Sequence, residues 1–221
     1  MKKKPVVLMY DSGLTQDEVS AIEYAWDQIQ KVYPGRYYLN MKNGRLDGDK
    51  YGYADEFVRR AQRVQCADGA IQLDSTDIAR QMYYDRLQRV MPSICILFTA
   101  RDLTYFDREA NQWLNFCFGT AIPEWHMIVQ SVFRFRELDS LHEYWSLQAL
   151  MWHELGHVFG LAHDLRRSNT EKKFGAHCTN PGCLMRQNVT VDTWAQNAEL
   201  AFHNGRVYCP QCALEAYYTR I

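Results

Sequence analysis

Apolar residues along this 221-residue chain fall into two rhythms. Continuous apolar runs at 5–10 (PVVLMY) and 93–99 (SICILFT) predict strands buried on both faces, being too short for core helices. Residues 15–33 instead repeat at helical spacing, with Ile22, Ala25, Trp26 and Ile29 on one face. Thr15 with Glu18 three positions on forms a capping-box pattern at the start, and Pro34-Gly35 ends the helix. A second strand is expected at 36–41, then turns at Asn43-Gly44 and Asp47-Gly48. Helices are expected over 54–66 and 76–90, the latter stopped before Pro92. Residues 113–118 and 127–135 predict further strands, the second alternating in part as a half-exposed edge strand does. This order of strands and helices favours an α/β layer arrangement.

A long helix then opens at Ser140, where Glu143 again fits the capping box. Leu141, Trp145, Ala149 and Trp152 make a stripe expected to face the core. The helix runs into MWHELGHVFGLAHD. Beyond it Gly175, Pro181, Gly182, Gly205 and Pro210 predict irregular chain.

That long helix carries the chemistry. His153, Glu154 and His157 form H-E-x-x-H, and residues four apart share a helix face, so both imidazoles can meet one metal. Glu154 lies about 100° around from His153, beside the metal without ligating it, as a general base requires. Gly160 and His163 extend the motif to H-E-x-x-H-x-x-G-x-x-H, a pattern that chance produces in roughly one in fifty thousand chains of this size and make-up. An unbroken helix would rise roughly 15 Å between positions 153 and 163, so His163 can join only if the helix stops. Gly160 is placed to stop it, because glycine takes the left-handed conformation without steric penalty. Three histidine ligands leave the fourth position of a catalytic zinc open for water or substrate.

A second cluster follows. Cys178 and Cys183 are spaced C-x4-C, and Cys209 and Cys212 C-x2-C, which matches a closed four-thiolate structural zinc. A redox Cys-x-x-Cys is the other meaning of the second pair, but no βαβ pattern surrounds it. Two Zn2+ per chain are therefore expected, one catalytic and one structural. Cys66, Cys95 and Cys117 read as small core residues, and Arg134 and Arg136 as solvent-facing.

Composition narrows the partners. Hydrophobic residues are 47% of the chain, enough for a large core, and the net charge of −1 gives no electrostatic pull toward nucleic acid or an anionic membrane. The apolar run behind Lys2, Lys3 and Lys4 is too short for a secretory signal, and no run reaches the ~18 residues of a membrane span, so a cytoplasmic location is expected.

The metal motifs resemble those of the archaemetzincins, whose pattern is H-E-x-x-H-x-x-G-x-x-H followed by C-x4-C-x-M and a later C-x-x-C. Here Cys178, Cys183, Leu184 and Met185 supply the middle element, and Cys209 and Cys212 the last. Arg101-Asp102-Leu103 and the stretch 114–119 are also similar to that family, so the resemblance covers about 93–212. It implies an α/β (α+β), zincin-like fold. That fold has a twisted mixed sheet, long helices, an active-site helix over 140–160 and a small irregular zinc-bound C-terminal part. It implies one catalytic domain over 1–221, with an upper subdomain to about 160 and a lower one over about 161–221. Met185 would be the Met-turn residue beneath the catalytic zinc. The activity implied is hydrolysis of peptide bonds, with a peptide or protein substrate pairing against an edge strand at 113–118 or 127–135. A weakly active or non-catalytic peptide-binding protein on the same scaffold is the alternative. In the family a cysteine directly follows the third histidine. Here Asp164 follows His163, and the His-Cys junction recurs at His177-Cys178, which makes His177 a rival third ligand. His163 is preferred for its distance from Gly160.

Overall fold

The all-buried segment Ile94–Thr99 is the central strand of a five-stranded sheet in the computed structural model. Residues 4–33, 37–42, 53–66, 69–85, 94–108, 110–163, 165–173 and 175–218 are described. The turns expected at Asn43-Gly44 and Asp47-Gly48, and Asp164, lie outside them. The chain divides into two compact units, Met1–Arg134 and Phe135–Ile221, so the long helix expected from Ser140 groups with the C-terminal segment.

In the first unit, β1 (Lys4–Tyr10), α1 (Gln16–Val32), β2 (Tyr37–Lys42), α2 (Tyr53–Arg60), β3 (Arg63–Gln65), β4 (Ile71–Asp74), α3 (Ser75–Tyr84) and β5 (Ile94–Thr99) follow in order. Then come the short strands β6 (Leu103–Thr104), β7 (Phe106–Asp107) and β8 (Gln112–Trp113), and finally β9 (Gly119–Ile122) and β10 (Met127–Ser131). The main sheet runs β2-β1-β5-β10-β9, parallel except for β9, which pairs antiparallel with β10. Parallel strands bury both faces, which explains the unbroken apolar runs. One face packs Val7, Met9, Leu97 and Val129 with Phe57 of α2 and Ile78 of α3. The alternate residues Val6, Leu8, Ile96 and Ile128 are equally buried.

Three expectations change here. Residues 54–66 are not one helix: α2 ends at Arg60 and Val64 is buried in β3, because β3 pairs antiparallel with β4. Residues 127–131 are wholly buried and paired on both sides, so they are not an edge. Among the described residues the strand at that edge is β9, outside both expected segments. Arg134 is not solvent-facing. Its guanidinium donates to both Asp102 oxygens at 2.9 and 2.6 Å and lies 4.1 Å over the Phe116 ring.

The second unit is helical. It contains α4 (Ser140–Val158), the two-stranded β11 (Thr170–Glu171) and β12 (His177–Cys178), α5 (Val191–His203) and α6 (Pro210–Tyr218). The N-cap of α4 is Asp139 rather than Ser140, its carboxylate accepting from the Leu141 and His142 N–H groups. The stripe on α4 is buried at Ala149 and Trp152 but exposed at Leu141. The two C-terminal helices replace the irregular tail the sequence suggested. Thr190 caps α5 through a reciprocal bond with Thr193, and Pro210 sits at the first position of α6, where its missing N–H is harmless. Trp194 of α5 donates from Nε1 to the Ser146 carbonyl of α4 at 3.2 Å and stacks on Phe135, fixing the two helices together.

Candidate metal centre and its sulfur-lined neighbour

Helix α4 stops as its sequence requires. Gly160 has φ +74, the Gly160 N–H bonds the His157 carbonyl at 3.0 Å, and the Leu161 N–H reaches back to Gly156 at 2.9 Å. These are the two bonds of a Schellman ending. Immediately afterwards Ala162 also takes a left-handed conformation, φ +50, held by its N–H donating to the Glu215 carboxylate at 2.9 Å. That second reversal carries His163 outward, and its side chain is exposed.

The third imidazole of the cluster belongs to His177. Nitrogens of His153, His157 and His177 all lie within 4.8 Å of one another. The preference for His163, built on its distance from Gly160, is therefore not met: the geometry groups the rival, and His163 stands outside it. The Nε2 atoms of His153 and His157 are 3.3 Å apart, the separation of about 3.3 Å that tetrahedral Zn–N bonds dictate. Nδ1 of His153 hydrogen-bonds the Leu184 carbonyl, and Nδ1 of His177 the Gly175 carbonyl at 3.0 Å. With Nδ1 donating, Nε2 of each ring is left as a lone-pair ligand. Burial, reinforced by the neighbouring imidazoles, holds His153 down to about 3 and His157 well below the usual histidine range; burial also lowers His177. All three are neutral at pH 7, as metal binding requires. Glu154 is 5% exposed, and burial pushes its carboxyl up to about 8.

Met185 is fully buried. Its sulfur rests against the α4 backbone at Gly156, where a Cβ would come within 2.1 Å of it. Gly156 was not singled out from the sequence. The signal was a glycine inside the last turn of the helix, which costs up to about 1 kcal/mol unless something needs the space.

The four sulfurs of Cys178, Cys183, Cys209 and Cys212 also lie within 4.8 Å of one another. Cys178 and Cys209 are 3.8 Å apart, matching the roughly 3.8 Å set by tetrahedral Zn–S bonds. The Cys178 thiol is pulled down by hydrogen bonds from Cys183 and Cys212, while Cys183 is pushed up to about 12 by Cys178. A metal held by the four would bind them as thiolates. N–H groups converge on the sulfurs: Asn180 backbone to Cys178 at 3.4 Å, Asn180 side chain to Cys209 at 3.2 Å, and Cys209 backbone to Cys183 at 3.4 Å.

The two clusters share backbone. His177 and Cys178 are consecutive in β12, so strand alternation sends one side chain to each cluster. The Cys178 N–H bonds the Met185 carbonyl at 2.8 Å. Cys183 is followed by Leu184, which receives the His153 bond, and then by Met185. Asn197 of α5 clamps this turn, accepting from the Gly182 N–H and donating to the Cys183 carbonyl, each at 3.0 Å.

No family model matches the sequence, and no curated protein matches it. Solved structures do match its fold. Archaemetzincin from Methanopyrus kandleri is 17% identical with a TM-score of 0.64, over 99% of this chain and 96% of that one. Archaemetzincin from Archaeoglobus fulgidus, complexed with malonate, is 20% identical with a TM-score of 0.55, over 96% of this chain and 99% of that one. A zinc-dependent peptidase from Methanocorpusculum labreanum is 19% identical with a TM-score of 0.57 over the same shares. The fold is archaemetzincin-like, mixed α/β with two candidate metal-binding groups. Among the described residues no helix is long and apolar enough to cross a membrane.

Proposed function

We propose that this chain is a zinc-dependent metallopeptidase with two metals: a catalytic zinc on His153, His157 and His177, and a structural zinc on Cys178, Cys183, Cys209 and Cys212. The observation that carries the reading is the convergence of the neutral imidazoles of His153 and His157 on α4 with that of His177 from β12, next to the buried carboxyl of Glu154. When bound, zinc supplies a Lewis acid that lowers the pKa of water and polarises a carbonyl. The two Nδ1–H bonds fix their rings so that Nε2 faces inward. Glu154 takes the proton of the attacking water and returns it to the departing amine nitrogen. Met185 and Gly156 set the floor height, and Gly160 turns the chain off the helix.

The substrate class is a peptide or an unfolded protein segment, supported by the fold's likeness to a zinc-dependent peptidase. No nucleic-acid or membrane partner is part of the reading. A reducing compartment, the cytoplasm, suits seven cysteines of which none forms a disulfide.

The test is E154Q, assayed for zinc content and for cleavage of a peptide library. The variant should keep both zincs and lose cleavage by about a hundredfold or more. Undiminished cleavage would remove the mechanism. Wild-type protein that carries both zincs and binds peptides without cutting any would favour the non-catalytic alternative.

A further inference from the structure

The segment between the helix stop and His177 contains Arg166, whose side chain is only 1% exposed. A buried guanidinium needs partners, and this one has sulfur. It donates from Nη1 to Cys212 at 3.1 Å and from Nη2 to Cys178 at 3.6 Å. Its Nε donates to the Ser168 carbonyl at 3.0 Å and lies 3.5 Å from the Glu215 carboxylate. The other oxygen of Glu215 holds the Ala162 N–H, the residue that turns His163 away.

We propose that Arg166 is the buried counter-ion of the sulfur-bound zinc and, through Glu215, the strap that ties the end of the catalytic helix to that metal. The inference rests on the two-zinc reading. Four thiolates on a divalent ion carry a net charge of about −2, and burying that charge is costly unless it is offset. The backbone and Asn180 donors supply only partial charges, whereas Arg166 supplies a full one, delivered to two of the four sulfurs. Neutralising them lowers thiolate nucleophilicity and slows zinc loss. The strap also bears on the chain just past the helix stop: Ala162 and Arg166 are both held by Glu215, and His163 between them is exposed.

Full-length wild type, R166Q and R166K are loaded with zinc, and release from the sulfur site to excess EDTA is timed alongside alkylation of Cys212 by iodoacetamide. Loss of a charged hydrogen-bond pair should speed both in R166Q by about tenfold or more, and R166K, which keeps the charge, should fall between R166Q and wild type. R166Q within twofold of wild type on both rates, or R166K as labile as R166Q, overturns the proposal. If R166Q fails to fold, R166K alone is compared with wild type. It keeps the charge but loses the two-pronged bond to Cys178 and Cys212, so faster release and alkylation support the proposal and rates equal to wild type overturn it. Wild type without sulfur-bound zinc would instead sink the two-zinc reading itself, before any variant is compared.

Discussion

Gly156→Ala tests the packing of Met185 against α4. The added Cβ would sit 2.1 Å from the Met185 sulfur, 3.1 Å from its Cε and 3.4 Å from Leu161 Cδ1. Relaxed contacts between such atoms need about 3.5–4.0 Å, so the sulfur must retreat by roughly 1.5 Å. Methionine is flexible, but this one is fully buried, and its backbone is held by the Cys178 N–H. Overpacking of this kind costs about 1–3 kcal/mol. Replacing a helical glycine by alanine returns up to about 1 kcal/mol. The net is a loss of about 0–2 kcal/mol, which in a chain of this size lowers Tm by up to about 8 °C. Moving Met185 also moves Leu184, whose carbonyl orients His153, so zinc should be lost from the histidine site while the sulfur site stays filled. The assay is thermal unfolding with zinc analysis, repeated in Gly156→Ala/Met185→Ala, where the clash is gone and histidine-site zinc should partly return. A single variant with raised Tm and both zincs would show that helix propensity alone governs the position and would refute the packing argument.

Other outcomes follow from the same geometry. Asp139→Ala removes the cap that satisfies the Leu141 and His142 N–H groups, and should lower the urea midpoint without changing zinc content; no loss of stability would mean another group caps α4. Because the three imidazoles are already neutral, zinc affinity at the histidine site should change by less than about tenfold between pH 7.0 and 5.5, with the sulfur site already filled. Three ordinary imidazoles would weaken by roughly 500-fold over that range, and such a fall would contradict the burial. The sign for metal-free stability is the reverse of a benefit. Between pH 6.5 and about 3 the unfolded chain binds a proton that folded His153 refuses, so stability falls with acid, and a urea midpoint that rose from pH 6.5 to 5 would contradict this.

The hydrophobic runs of β1 and β5 and the capped helix α1 were legible because each is decided by local pattern, burial on two faces or a reciprocal cap. The helix stop at Gly160 was legible for the same reason. What failed was inference across a loop. Spacing from Gly160 says where the chain turns, but not that Ala162 turns it again, since that conformation is held by Glu215 more than fifty residues away. The usable signal lay at the other end: His177 precedes Cys178, and a strand sends neighbours to opposite sides. Arg166 left no trace in the pattern, because one arginine among Arg166-Arg167 looks like solvated charge until the fold brings Cys178 and Cys212 to it. The C-terminal helices were hidden by reading Gly205 and Pro210 as signs of irregular chain when they mark helix boundaries. Residues 127–131 were misjudged as an edge because partial alternation does not reveal that β9 pairs outside them.

The central claim is that His177 completes the metal centre and His163 does not. Zinc per chain, measured on purified wild type, H177A and H163A under equal zinc loading, tests it most directly. The account predicts two zincs in wild type and H163A and one in H177A, held by sulfur. One zinc in H163A with two in H177A would contradict it.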